Sequence, residues 1–164
     1  MNAKILNLAL LALLLLPAGG ARPQSGEKRP CPEPQEAKDS KFHPGQVWNY
    51  KTRPNEQKST LTILKIESLP KLGVIVHIRV DDIRLHNCTG GPEPNNFAHM
   101  PFTRDAIERS VVKVAKEDGP VPDFNEGYDE WRRACGGVYT ITVAEAIEVS
   151  EKGFNERLGC KTSN

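Results

Sequence analysis

The sequence has no surplus of charge of either sign. It contains 22 Lys and Arg against 21 Asp and Glu, for a formal net charge of +1. Removing Lys4 with the leader described below takes this value to +1 − 1 = 0. Proteins that bind the phosphate backbone of nucleic acids normally carry a basic surplus or a basic stripe. We therefore predict no nucleic-acid partner, and an acidic partner is not favoured either.

The short motifs of common enzymes and metal sites are also missing. The sequence has no Gly-x-Ser-x-Gly, no phosphate-binding loop, no His-Glu-x-x-His and no Cys-x-x-Cys. Its histidines, His43, His77, His86 and His99, are spaced by 34, 9 and 13 residues, so none forms the i, i+4 pair of a helical metal site. His77, His86 and Asp81 lie on or beside one predicted strand, but its alternation separates the two histidines. We predict no metal ion and no cofactor.

The N-terminal residues 1–20 have the three parts of a secretory signal peptide. Lys4 supplies the early positive charge, an apolar run follows, and small residues surround Gly20. The run is too short for the roughly 20 residues of a membrane span, although an uncleaved anchor stays the alternative. We predict cleavage after Gly20, a secreted or periplasmic location, and no stable membrane span in the mature chain.

Two regions follow the leader. Residues 21–41 contain four prolines and mixed charges without any aromatic or β-branched residue, which predicts a disordered Pro-rich tether with Cys31 as its only fixed point. Residues 42–160 are expected to form a single globular domain.

The centre of that domain is predicted to be a β-hairpin between Ser59 and Leu85. Two β-rich runs are separated by the turn formers Pro70 and Gly73. The second run alternates strictly over residues 74–81, with aliphatic side chains on one face and Ile75, His77, Arg79 and Asp81 on the other. A preceding strand at residues 46–52 completes a three-strand meander.

Helices and one more strand are predicted after the hairpin. Thr103 caps a helix with the apolar stripe Ile107, Val111, Val114 and Ala115. A second short helix carries Tyr128, Trp131 and Cys135 and is closed by Gly136 and Gly137. Residues 138–141 predict a returning strand, and Thr142 with Glu145 forms a capping box for a third helix. The order indicates an α+β domain with an antiparallel sheet, while a small β-barrel with appended helices is the alternative.

Four cysteines in an exported chain favour two disulfides. Cys135 and Cys160 are the closest pair in sequence, and the tether needs an attachment that Cys31 can give. We predict the pairs Cys135–Cys160 and Cys31–Cys88.

Six blocks carry a resemblance to a known group of proteins. They are GQVWNYKTRP, STLTILKIE, GVIVHIRVDDIRLHN, HMPF, the GYDEW run and GVYTITVAEA, in this order between residues 42 and 146. The chain resembles a family of small uncharacterised bacterial proteins that share these blocks. The resemblance implies a bacterial origin but no activity, ligand or catalytic residue. Between Trp131 and Gly137 the chain is shorter than the family pattern and carries Cys135, which implies that the disulfides are a local addition.

A candidate binding site is predicted around the long loop from His86 to Pro101. This loop brings an aromatic, an imidazole and a thioether group close together, and loops carry function more often than scaffolds do. With the aromatic residues of the first strand they would form an interface centre: Trp48, Tyr50, Phe97, His99 and Met100. The alternative is that the apolar members of this set only fill the core.

The sequence is compatible with two functions. The first is a non-catalytic binding or interaction module of the bacterial envelope, whose partner is an unknown protein or envelope component. The second is a small extracytoplasmic hydrolase that uses His99 with an acidic partner from residues 123–129.

Overall fold

A computed structural model describes residues 31–160. The signal peptide predicted at 1–20 and residues 21–30 of the tether lie outside the described residues. Six strands and three helices follow one another in the described chain. They are β1 (Gln35–Glu36), β2 (Val47–Tyr50), β3 (Thr60–Leu69), β4 (Gly73–Asp81), β5 (Asn96–Thr103), α1 (Arg104–Ser110), β6 (Val111–Lys116), α2 (Asn125–Arg133) and α3 (Val143–Arg157).

The strands form one open antiparallel sheet. Its order is β5-β4-β3-β2-β6, with β1 added beside β3. The predicted meander is confirmed, because β2, β3 and β4 are neighbours in this order. The α+β class is therefore confirmed, and the barrel alternative is wrong because β5 and β6 end the sheet without pairing with each other.

The central hairpin forms where the alternation predicted it. The register of β3 and β4 runs from Thr60 opposite Asp81 to Leu69 opposite Gly73. Lys71 and Gly73 in the connection adopt positive φ angles of 73°, and a glycine meets this requirement without steric cost. A short turn can therefore join two long strands.

Both faces of the hairpin are covered, each by different helices. The main core contains Val76, Ile78 and Val80 of β4 together with buried residues of α1 and α3. Successive residues of a strand point to opposite faces, so Ile75 and His77 face the other side, where Tyr128 and Trp131 of α2 pack. His77 is fully buried. The face of β4 that carries Ile75 and His77 is therefore not exposed to solvent, although its polar side chains are typical of an exposed face.

The returning strand comes from a different place than predicted. Residues 138–141 form no strand, and Tyr139 makes only an isolated parallel bridge to Phe102. The strand that returns is β6, which pairs with β2. The predicted helix after Thr103 begins correctly, since the Thr103 side chain accepts from the Ala106 N–H, but it ends at Ser110.

The early end of α1 has a local cause. Val111, Val112 and Val114 are β-branched, which favours an extended backbone over a helix. The Ser110 carbonyl accepts a hydrogen bond from the Lys51 N–H at 2.9 Å instead of continuing the helix. The apolar residues whose spacing predicted a longer helix therefore belong to strand β6, from which Val111 and Val114 pack against the core.

The long loop predicted from His86 to Pro101 is shorter than expected, because β5 begins at Asn96. Neither glycine near the end of α2 supplies a left-handed cap. Cys135 has the positive φ of 49° there, whereas Gly136 is needed for close packing, since a Cβ at that position would lie 2.1 Å from the Trp131 ring. The capping box of Thr142 and Glu145 is confirmed at the start of α3.

The disulfides form, but the predicted pairing is wrong. Cys31 pairs with Cys135 and Cys88 pairs with Cys160, with Cα–Cα distances of 5.2 and 6.2 Å. The separations are 104 and 72 residues, so short chain distance was a poor guide to the pairing. Each bridge fixes the end of a helix to a distant segment.

The described part of the tether, residues 31–41, is placed against the sheet at several points besides Cys31. β1 pairs with β3, and the Ala37 N–H donates to the Ile66 carbonyl at 3.2 Å. Asp39 accepts from Arg104 Nε at 2.9 Å. No helix within the described residues is both long enough and apolar enough to cross a membrane.

Candidate functional site

A row of polar side chains crosses three adjacent strands under α2. Glu67 lies on β3, His77 on β4 and His99 on β5. The row forms because Lys65 pairs with His77 across β3 and β4, and Glu67 shares a face with Lys65 two residues away. The sheet register thus brings together residues that are far apart in the chain.

The three side chains form a continuous chain of contacts, which we call the Glu-His-His chain. Glu67 Oε1 lies 3.1 Å from His77 Nε2, close enough for an ion pair although the ring N–H is not aligned for a regular hydrogen bond. His77 Nδ1 lies 2.8 Å from His99 Nε2 in a short hydrogen bond. Glu67 and His77 are 1% and 0% exposed, whereas His99 is only half-buried. The chain therefore leads from a buried carboxylate to a partly open imidazole.

The buried carboxylate has two further partners. Lys65 Nζ approaches Glu67 Oε2 at 2.7 Å, and the Tyr128 hydroxyl donates to both carboxylate oxygens at 3.1 Å. Lys65 also donates to the Tyr128 hydroxyl at 2.9 Å. A buried charge is tolerated only when it is paired and hydrogen-bonded, and Glu67 meets both conditions.

The environment fixes the charge of both ends of the chain. Burial alone raises the pKa of Glu67, but His77 and Lys65 outweigh burial and lower the pKa to about 2. Burial is the main cause that lowers the pKa of His99 to about 4, and the electrostatic effect of His77 acts in the same direction. At neutral pH the chain therefore has an ionised carboxylate inside and a neutral imidazole at the surface.

Two proton arrangements are compatible with a neutral His99. If His77 carries a proton only on Nε2, His99 Nε2 donates to His77 Nδ1 and His99 Nδ1 is a free acceptor. If His77 carries both protons, its Nδ1 donates instead and His99 Nδ1 becomes a donor. The second arrangement holds one proton more than the first, so uptake of one proton by the two histidines would change His99 Nδ1 from an acceptor to a donor.

Helix α2 covers the Glu-His-His chain with aromatic side chains. Tyr128 and Trp131 contact the His77 ring edge-on, with centroid distances of 5.5 and 4.9 Å. Trp131 Nε1 donates to the Gly137 carbonyl at 2.9 Å. A Cβ at Gly127 would lie 2.8 Å from His99 Cβ, so glycine permits the close approach of α2 to β5.

His99 opens into two adjoining surface depressions, which together we call the His99 groove. The first, of about 350 Å³, has acidic walls formed by Asp123, Glu126 and Glu130. The second, of about 670 Å³, runs between β5 and α3 and is lined by Phe97, Tyr139 and Phe154 among others. His99 and Glu130 belong to both depressions, so an acidic end and an aromatic end meet at the imidazole.

A bulge in β5 helps to aim the imidazole. Ile78 of β4 pairs with Met100, whereas Val80 pairs with Phe97, so two steps along β4 match three along β5. Bulges of this kind turn side chains locally and are frequent beside functional sites. The bulge contains His99.

The predicted binding residues do not form one patch. Trp48, Tyr50 and Met100 are buried in the main core, with exposures of 6%, 5% and 3%. Trp48 and Tyr50 lie on β2, which β3 and β4 separate from β5. Phe97 and His99 both line the His99 groove, so the structure brings together two of the five.

Glu67, His77, Lys65 and Tyr128 were missed as site residues. The sequence signal was present but ambiguous, because His77 stands in a strictly alternating strand and Glu67 in a run with few charges. Only the register of β3 and β4 shows that they meet. The members of the Glu-His-His chain contact one another in series, and within residues 31–160 no three His, Cys, Asp or Glu side chains are grouped to hold a metal ion.

Comparison of the chain with protein-family models, with curated proteins and with solved structures finds no match.

Proposed function

We propose that this protein is a non-catalytic binding module of the bacterial cell envelope that holds its partner in the His99 groove. The observation that carries the proposal is the junction at His99, where a fixed imidazole stands between an acidic and an aromatic wall. A concave site in which aromatic side chains and a few polar groups converge is typical of binding sites. The two disulfides support a location outside the cytoplasm.

A small hydrolase is the second candidate, and the Glu-His-His chain favours it. A carboxylate that orients a histidine is the arrangement by which many hydrolases hold a general base. However, a base is most effective when its pKa lies near the working pH, and the pKa of His99 is lowered to about 4. Among the hydrogen bonds of the described residues, His99 has one side-chain partner, His77. These observations favour binding.

The test compares two surface variants in a pull-down from envelope extract under non-reducing conditions. Val149→Glu places a charge in the aromatic wall at a residue that is 57% exposed. Val112→Glu is the matched control, since Val112 is 61% exposed on β6 at the opposite edge of the sheet. Wild type and Val112→Glu should retain the same partner, identified by mass spectrometry and confirmed by titration with the purified protein. Val149→Glu should lose it.

The hydrolase candidate is tested with chromogenic esters, phosphates and glycosides between pH 5 and pH 9. The binding proposal predicts no turnover above buffer. Turnover that His99→Gln abolishes and Val112→Glu leaves unchanged would contradict a non-catalytic module.

A further inference from the structure

Within residues 31–160, the outer edge of β5 is open beside the His99 groove. β5 is the last strand of the sheet, and in the described part of the chain its outer side is bridged only at Phe102, by Tyr139. The Tyr139 N–H donates to the Pro101 carbonyl and the Tyr139 carbonyl accepts from the Thr103 N–H, both at 2.9 Å. Residues 96–100 therefore have no strand on their outer side among residues 31–160.

The groove follows this open edge. Asn96, Phe97 and His99 of β5 form one wall, and Val149, Phe154 and Arg157 of α3 form the other. An exposed edge is a template for pairing with another extended chain. Proteins that bind peptides in this way obtain affinity from main-chain hydrogen bonds and specificity from pockets for alternate side chains.

The charges along the groove give it a direction. The end beside α2 carries Asp123, Glu126 and Glu130, all exposed. Arg157 of α3 lines the second depression but not the acidic one. A basic side chain is therefore complementary to the α2 end, and a basic side chain in the second depression would face Arg157 unfavourably.

We propose that the groove binds an extended peptide segment of a partner protein, which pairs with the open edge of β5. The segment carries a basic side chain against Glu130 and apolar side chains against Phe97, Val149 and Phe154. The bulge at His99 and the bridge at Tyr139 limit the pairing to a short stretch. This inference rests on the proposed binding function and names the chemistry of the partner.

The experiment uses the full oxidised protein and an array of six-residue peptides. Each peptide carries one charged residue, arginine or glutamate, at a single position, and valine, threonine or phenylalanine elsewhere. We expect the wild type to select peptides with arginine at one end, at least 10-fold over the same peptides with glutamate. A proline in the middle of the best peptide should remove binding, because it lacks the N–H that a paired strand donates.

Charge reversal provides the decisive comparison. Glu130→Lys changes an exposed residue of the acidic wall and should shift the selection from arginine to glutamate at that end. Glu148→Lys makes the same charge change at an exposed α3 residue outside the groove and should leave the selection unchanged. Amide shifts in the NMR spectrum on binding of the best peptide should concentrate in residues 96–100.

Three results would overturn the inference. They are the absence of any selection, a selection that Glu130→Lys does not alter, and a concentration-dependent dimer in sedimentation that Val149→Glu abolishes. The dimer would show that a second copy of this chain occupies the edge. If a purified partner still binds wild type and fails to bind Val149→Glu while the array shows no selection, the proposed function stands and only the peptide chemistry is wrong.

Discussion

Glu67 is the residue whose burial depends most on its neighbours. Its carboxylate is almost completely enclosed and is held by Lys65, His77 and Tyr128. Removing one partner from a buried ion pair is far more costly than removing a surface pair, because the remaining charge stays buried without compensation. Loss of one member of the Glu-His-His chain should therefore destabilise the fold as well as change the site.

Replacing Glu67 with glutamine tests this contribution. Glu67→Gln keeps the volume but leaves His77 and Lys65 without their anion. We expect a loss of about 2–3 kcal/mol in the free energy of unfolding, at or just below the usual range for a broken buried pair, because Lys65 stays partly open to water. Urea denaturation measures the loss. Glu130→Gln, at an exposed position, is the control and should stay within about 0.5 kcal/mol of wild type; equal effects would contradict a buried ion pair.

The pH dependence of stability follows from the direction of two pKa shifts. The pKa of His99 is lowered from 6.5 to about 4 by burial, so its contribution is present above about pH 6.5 and is lost as the pH falls toward 4. The pKa of Glu67 is lowered from 4.5 to about 2, and its contribution is lost as the pH falls from 4.5. The exposed His43, whose pKa is raised mainly by the Pro44 carbonyl, acts in the opposite sense.

Urea denaturation between pH 7 and pH 4.5 measures the His99 contribution. The free energy of unfolding of the wild type should decrease as the pH falls over this range. The decrease should be smaller for His99→Gln. His43→Gln, which changes an exposed histidine far from the groove, should leave the fall in place. Parallel curves for wild type and His99→Gln would contradict the buried environment assigned to His99.

At the scale of the elements, helix α2 depends on its tertiary contacts, and Gly127 allows it to pack closely against β5. It has nine residues and no side-chain cap at its start. Its position depends on aromatic contacts with the histidines and on the Cys31–Cys135 bridge. An alanine in place of a helical glycine normally stabilises the helix by up to about 1 kcal/mol.

Two glycine replacements separate helix propensity from packing. Gly127→Ala should destabilise by about 1–3 kcal/mol, because its Cβ would lie 2.8 Å from His99 Cβ. Gly153→Ala in α3, which has nothing within 4 Å of the new Cβ, should stabilise by about 0.5–1 kcal/mol. Thermal unfolding of both variants measures the difference. A stabilised Gly127→Ala would show that α2 does not lie this close to β5.

Some elements could be predicted from the sequence and others could not. The hairpin and the start of α3 were predictable, because alternation and a capping box are local patterns. The helix predicted over residues 111–116 is wrong. The apolar spacing there fits both the helical and the strand period, and pairing with β2 decides for the strand. The Glu-His-His chain was not predictable, since it requires the register of three strands and the bulge that contains His99.

At the scale of the whole molecule, two long-range bridges fix peripheral segments to the ends of two helices. Cys31 fixes the N-terminal segment to the end of α2, and Cys88 fixes the loop before β5 to the region after α3. Bridges that close long loops reduce the conformational entropy of the unfolded chain. Each typically stabilises the folded protein by about 2–4 kcal/mol. The bridges thus hold the helices on both sides of the groove.

Peptide mapping without reduction tests this architecture. One linked pair of peptides should contain Cys31 and Cys135, and the other Cys88 and Cys160. Mapping of the reduced and alkylated protein is the control for correct peptide assignment. Free thiols, or a Cys31–Cys88 link, would contradict the arrangement of α2 and α3 around the sheet.

The proposed binding site depends most on His99 as a neutral imidazole that the Glu-His-His chain holds at the groove. An NMR titration of the histidine side chains between pH 3 and pH 8 tests this directly, with assignment by comparison with His99→Gln. We predict that the His99 ring titrates with a pKa of about 4, far below that of the exposed His43. A His99 pKa near 6.5, with shifts independent of His77, would show that the imidazole is surrounded by water and that the Glu-His-His chain does not form.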